Sequence, residues 1–268
     1  MVREIGRDVH YTGKIMDGHF YDRYDKVYFQ SNEILNGIFL NVDVCRKNVL
    51  TVLSSGDQTF HFLNDGARHV DIFDKNKLTF YYFYLRMWCI KYLDKFYLDY
   101  PIDKGEVGYI LAEVIPQSED EKCALIYWRK CFNYYNEKQF KSLFHSCITS
   151  DMNQIDDLSF IKKRIDDNHF NFFNIDLSKK VKIGKKYDAI FTSNITDYIL
   201  DWQFKLYKDN LYNLLNDGGV IVSSANIVSD DVSKIERKVF KDQFKIHYLP
   251  KVKMYYKVMP GYVYKKKK

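Results

Sequence analysis

The chain has 268 residues, 46% hydrophobic and 17% aromatic, which supplies a sizeable core and excludes a largely disordered chain. Its net charge of +6 is modest and spread out, apart from the closing YKKKK, whose four lysines are either a solvated end or a weak attraction for a phosphate backbone or anionic membrane. Five cysteines, at 45, 89, 123, 131 and 147, form no C-x-x-C pair, so neither a disulfide framework nor a zinc site is expected.

In chain order, residues 1–47 are polar and Tyr-rich, with weak helical spacing at Tyr24, Val27, Tyr28, Ile34, Leu35 and Ile38. They read as an N-terminal helical cover rather than part of a sheet. A β-branched run at 48–53 reads as the first strand. A turn at Ser54, Ser55 and Gly56 follows, then a helix over 57–65 closed by Asp65 and Gly66. The second strand is expected at 69–73, and apolar residues at helical spacing predict a long helix over 76–97. The apolar run LTFYYFYLRMWCI at 78–90 is too short to span a bilayer and is interrupted by Arg86. With no signal sequence at the start, the expectation is a cytoplasmic protein.

Residues 98–168 carry mixed helical periodicity and no convincing strand, and read as an insert of two or three helices. Alternation resumes with strands at 171–177, 187–194 and 218–227 and a helix at 201–216. A helix at 230–242 and two strands, FKIHYLP and MYYKVMPGYVYKK, close the chain in a hairpin-like ending.

Chemistry concentrates in VLTVLSSGDQTFHFL followed by HVDIFDKN, residues 49–63 and 69–76. A buried strand breaks at small residues, a helix follows, and the next strand ends in an acid, Asp74. Small residues let backbone N–H groups approach a ligand, and an acid at a strand tip accepts ribose hydroxyls. A dinucleotide site needs G-x-G-x-x-G for its pyrophosphate, and only Gly56 is present. An NAD-dependent enzyme is therefore disfavoured. A nucleoside ligand without phosphates, such as S-adenosylmethionine, fits the turn better.

Five β/α alternations with a β-pair ending match the Rossmann-like, seven-stranded α/β sheet of class I methyltransferases, whose last strand is antiparallel. The expected organisation is a cover at 1–47 and an S-adenosylmethionine-binding domain at 48–268 with its helical insert at 98–168. The site belongs at the carboxyl ends of the first, second and fourth strands.

The loop segment also resembles that of the S-adenosylmethionine:diacylglycerol 3-amino-3-carboxypropyl transferases of betaine-lipid synthesis and their bacterial relatives. Shared features are Thr51 where ordinary methyltransferases carry an acid, and a single Gly after small residues. YFQSNE at 28–33 is similar to the family's Y-x-Q-x-x-E at Tyr28, Gln30 and Glu33. TSNITDY at 192–198 resembles its L-S-D-I-F-E-Y at Ser193, Ile195 and Tyr198, with Asp197 in the acidic position. Asn194 replaces an acid and Thr196 a Phe. The resemblance covers residues 28–97 and 187–225, implies the cofactor more firmly than the acceptor, and makes Tyr28 and Glu33 lid candidates.

Candidate cofactor contacts are therefore Tyr28, Ser54, Ser55, Gly56, Asp57, Asp74, Asp176 and Ser193. Asp74 would take the ribose and Asp176 the adenine amino group, the loop would hold the methionine moiety, and Ser193 and Asn194 would face the reacting sulfonium. Bland readings stand beside these: Asp74 and Asp176 as helix or turn caps, Gly56 as a tight turn only, Ser193 and Asn194 as turn formers. Candidate bases are Asp197, Glu33 and Asp57, needed only if the acceptor loses a proton during transfer. No hydrolase triad, P-loop or H-E-x-x-H pattern occurs, and no metal is expected.

The sequence thus predicts transfer of a methyl or a 3-amino-3-carboxypropyl group to a small-molecule or lipid-headgroup acceptor. The alternative is a non-catalytic nucleoside-binding module acting on nucleic acid or protein.

Overall fold

The computed structural model describes residues 27–28, 42–95, 103–145, 158–167, 170–224, 230–249, 252–253, 258–259 and 261–267. Among them the strands are β1 (Val27–Tyr28), β2 (Asn48–Val52), β3 (His69–Asp74), β4 (Phe144–His145), β5 (Phe170–Asn174), β6 (Tyr187–Ser193), β7 (Leu215–Ser223), β8 (Phe244–Tyr248), β9 (Val252–Lys253), β10 (Val258–Met259) and β11 (Tyr262–Lys266). The helices are α1 (Asp57–Asn64), α2 (Lys77–Leu93), α3 (Lys104–Glu113), α4 (Glu119–Tyr134), α5 (Glu137–Lys141), α6 (Leu158–Asp166), α7 (Phe204–Leu214) and α8 (Asp230–Phe240).

The main sheet has seven strands in the order β5-β3-β2-β6-β7-β11-β8. Its strands are parallel except β11, which runs antiparallel to both β7 and β8. This order, with one reversed strand second from an edge, is the class I methyltransferase arrangement expected from the alternation. The chain progresses outward from β2 in one direction and from β6 in the other. The boundary between β2 and β6 is a topological switch point, where loops leaving two adjacent strands part and open a crevice.

Each face of the sheet is covered, which is why its strands read as continuous apolar runs. Val49, Val70, Ile72, Ala189 and Phe191 face a core completed by α1 and by α2 with its insert helices. Leu50, Phe73, Ile190 and Ile221 face the other, completed by Phe204, Tyr207 and Leu211 of α7 and Phe240 of α8. Helix α2 has almost no amphipathic contrast because sheet and insert bury it on opposite sides: Trp128 of α4 donates its indole N–H to the Tyr81 carbonyl at 2.7 Å, and Trp88 donates to Glu121 at 3.1 Å.

Several boundaries differ from expectation. Val27–Tyr28, expected in a helical cover, forms a parallel ladder with Phe144–His145. The Val27 N–H donates to the Leu143 carbonyl at 3.0 Å, so β4 also puts a short strand inside the insert. The rest of residues 1–41 lies outside the described residues. β5 stops at Asn174, where Ile175 N–H turns back to the Phe173 carbonyl, leaving Asp176 on the following loop. β7 starts at Leu215 rather than at Gly218, since Leu215 pairs with Tyr187 ahead of an irregularity in the ladder. The helix expected at 201–216 is a 3-10 turn at Asp201–Gln203 followed by α7. Of the thiols, Cys89 and Cys131 are buried, whereas Cys45 and Cys123 are exposed. No helix among the described residues is long and apolar enough to cross a membrane.

Candidate functional site at the switch point

The site is built on the loop that leaves β2. Ser54 has φ +48° and Gly56 φ +90°, so the turn uses the left-handed region twice within three residues. Gly56 N–H closes the turn on the Leu53 carbonyl at 2.7 Å. A Cβ on Gly56 would stand 2.6 Å from Cδ2 of Phe83 in α2, so this position requires glycine both for its φ and for the close approach of the helix.

Asp74, at the tip of β3, ties the two strand ends together. Its Oδ2 accepts the Ser54 N–H at 3.1 Å and its Oδ1 accepts the Asn76 N–H at 2.8 Å. Asn76 in turn caps α2 through Leu78 N–H at 3.0 Å. The bland reading of Asp74 as a solvated cap of the following helix gives way, because Asn76 holds that cap; Asp74 instead closes a turn onto the Asn76 N–H and keeps a half-buried carboxylate at the crevice.

Beneath the loop lies a residue whose part the sequence did not reveal. Arg86 of α2 is buried, pairs with the Asp57 carboxylate and donates to the Ser55 carbonyl at 2.7 Å. Its guanidinium lies 4.8 Å from the Phe60 ring centroid, and Phe60 stacks on Phe83 at 4.9 Å. Asp57 is thus committed to the floor of the loop, and its expected parts as a ligand contact or base give way to a part in shaping the turn. The signal available in sequence was a lone Arg within an apolar helix, since a buried guanidinium demands an anion. Thr51, neutral where many methyltransferases carry an acid, is fully buried and donates to Gln58 Oε1 at 2.9 Å.

Across the switch point, β6 ends in Ser193, whose φ of +50° mirrors that of Ser54. Two serines in the left-handed region thus terminate the two strands that flank the crevice. Strained backbone of this kind costs about 1–3 kcal/mol and concentrates at functional sites. The Ser193 carbonyl accepts the Ser224 N–H at 3.2 Å, and its hydroxyl meets Asn194 Oδ1 at 3.3 Å. Asn194 opens the 3-10 turn Ile195–Tyr198, and the Lys75 ammonium lies 6.0 Å from the Tyr198 ring, reaching over from beside Asp74.

Asp176 follows β5 at the same end of the sheet. Its Oδ1 accepts both the N–H and the hydroxyl of Ser178, at 2.9 and 2.6 Å. The structure therefore brings Ser54, Ser55, Gly56, Asp57, Asp74, Ser193 and Asn194 to the β2/β6 crevice and its β3 neighbour, with Asp176 one strand further out. Glu33 lies outside the described residues. For Tyr28 and Asp197 only the backbone is described, in β1 and in the 3-10 turn. Among the described residues no three His, Cys, Asp or Glu side chains converge as a metal site.

No family model matches the chain, and no curated protein matches it. Solved structures do resemble it. One is the N-methyltransferase NodS from Bradyrhizobium japonicum WM9 in complex with S-adenosyl-L-homocysteine, at 12% identity, TM-score 0.42, covering 87% of this chain and 84% of that one. Another is a ribosomal protein L11 methylase from Lactobacillus delbrueckii subsp. bulgaricus, at 14% identity and TM-score 0.41, covering 87% and 76%. A third is an rRNA methylase from Streptococcus thermophilus, at 8% identity and TM-score 0.41, covering 87% and 95%. Strand order and the reversed β11 identify the architecture independently of these likenesses.

Proposed function

We propose that the chain is an S-adenosylmethionine-dependent group transferase. The observation that carries the reading is the union of Asp74 with the Ser54–Gly56 turn at the switch point: one carboxylate fixes the turn and keeps lone pairs for a ribose. The residues present suit the donor better than a dinucleotide. Gly56 is the only glycine in the turn, and the buried cation beside it, Arg86, is consumed by Asp57 instead of being held out to a phosphate.

When bound, the donor supplies a carbon already activated by a sulfonium. The chain then has to hold and align. In this reading Asp74 accepts the ribose hydroxyls, the Ser54–Gly56 backbone embraces the methionine moiety, and Asp176 accepts the adenine amino group. Ser193 and Asn194 direct the acceptor, and Tyr28 with Glu33 covers the pocket. Alignment of two bound partners accounts for roughly 7–11 kcal/mol of barrier reduction in well-oriented reactions. With Asp57 committed to Arg86, Glu33 and Asp197 are the carboxylates left to take a proton from an acceptor that must lose one.

The resemblance of the loop and of residues 192–198 to aminocarboxypropyl transferases favours transfer of that group over methyl. Incubation of the purified chain with S-adenosylmethionine and candidate nucleophiles, followed by mass spectrometry of the thioether product, tests this. Methylthioadenosine is the expected product, and S-adenosylhomocysteine would assign methyl transfer instead. Absence of S-adenosylmethionine binding in calorimetry would overturn the cofactor.

A further inference from the structure

We infer that the surface formed by residues 178–186 and the start of α7 binds a single-stranded nucleic acid. The segment SKKVKIGKK holds Lys179, Lys180, Lys182, Lys185 and Lys186 with no acid among them, and all five are exposed. Lys179 lies 4.0 Å from Asp176 and Lys185 3.2 Å from Asp71. Lys180, Lys182 and Lys186 have no acidic partner within ion-pair distance among the described residues.

This is a built surface rather than a slack loop. Val181 and Ile183 pack onto the core between β6 and α7, which turns the intervening lysines outward. Asn210 of α7 donates to the carbonyls of Leu177 at 2.8 Å and Lys179 at 2.6 Å, and Gln203 donates to the Ser178 hydroxyl at 3.1 Å. Next to Gln203 is Trp202, 75% exposed, the most exposed large apolar side chain among the described residues. Lys205, three residues and about one turn beyond Trp202, is also exposed. The lysines run from the carboxyl end of β5, where Asp176 stands, to the amino end of β6.

A row of ammonium groups beside one bare indole matches the two needs of a single strand, whose phosphates take cations and whose unpaired bases stack on aromatic rings. A duplex hides its base faces, which favours an unpaired strand; an anionic membrane, whose interface also takes an indole beside lysines, is the competing outcome that the vesicle arm detects. The surface stands on these residues alone; that the bound strand is also the acceptor rests on the transferase reading above.

The test is fluorescence anisotropy of the full chain with labelled single-stranded RNA and DNA, with the matching duplex, heparin and anionic vesicles as competitors. Salt-dependent binding is expected, with a log–log slope of about −0.7 per phosphate contacted. Combined Lys180→Glu, Lys182→Glu and Lys186→Glu should abolish it. Trp202→Ala should weaken it roughly 5- to 150-fold, the range for loss of one stacked base. Absence of binding at low salt, equal affinity for the duplex, displacement by vesicles alone, or indifference to these changes would overturn the inference. So would loss of binding on combined Lys267→Glu and Lys268→Glu with the triple variant unaffected. Calorimetry with S-adenosylmethionine separates the two readings: a wild type that binds the strand but not the cofactor sinks the transferase, one that binds the cofactor but not the strand sinks this surface, and the triple variant should keep the cofactor while losing the strand.

Discussion

Arg86 and Asp57 form an ion pair between the middle of α2 and the first turn of α1, with side chains 1% and 0% exposed. Neither charge can find water, so each depends on the other, and the Ser55 carbonyl hangs from the same guanidinium. Removing one partner of such a pair leaves the other buried and uncompensated, at a cost of about 3–5 kcal/mol. Arg86→Ala should therefore lower the thermal midpoint sharply and loosen nucleoside binding. Arg86→Met combined with Asp57→Leu should recover much of the stability in thermal unfolding but not the affinity. Recovery of both would show that the pair does not shape the loop.

Gly56→Ala meets two obstacles, a φ of +90° and Phe83 at 2.6 Å. A cost of about 1–3 kcal/mol is expected from backbone strain and overpacking. Adding Phe83→Leu should return only the overpacking share, because the backbone strain stays. Chemical denaturation of the single and double variants measures both shares.

Asp74→Asn keeps one acceptor oxygen but replaces the other with a donor facing N–H groups. Hydrogen bonds to charged groups are worth about 1.5–3 kcal/mol, so nucleoside affinity should fall roughly 10- to 150-fold. Titration calorimetry with S-adenosylmethionine and S-adenosylhomocysteine checks this, and unchanged affinity would remove Asp74 from the site.

Stability should also have an acid limb set by Asp71 of β3. Burial pushes this carboxyl up, but donation from Tyr187 at 2.7 Å and Asn171 at 2.7 Å, with the charges of His69 and Lys185, outweighs burial and leaves it below the ordinary 3.8. A carboxyl depressed on folding contributes its stability in full above its unfolded value and loses it as pH falls through the folded one. Wild type should thus exceed Asp71→Asn in thermal midpoint at neutral pH, and the gap should narrow as pH drops below 3.8. A gap independent of pH would contradict the assignment.

Local pattern made the β2 loop legible: a buried run, three small residues and an acid at the next strand tip are all within one βαβ unit. The left-handed turn at Gly56 was legible too. What escaped was set by distant partners. Arg86 looked like an interruption because its anion sits 29 residues earlier, and the Asp71 network joins residues up to 116 apart. The β1/β4 ladder has two residues on each side, far too few to mark a period. Strand ends moved for similar reasons, β7 being extended by a partner across the sheet rather than by its own glycine-containing sequence.

The place of β11 between β7 and β8 governs the order in which the molecule can be finished. During synthesis β8 emerges before the strand that pairs it to the rest, so Phe244–Tyr248 must wait as an orphan edge until Tyr262–Lys266 leaves the ribosome. Closure of this half of the sheet therefore waits for the last of its strands to be made. Nascent chains stopped short of Tyr262 carry two open strand edges, the kind of surface that recruits chaperones or other chains.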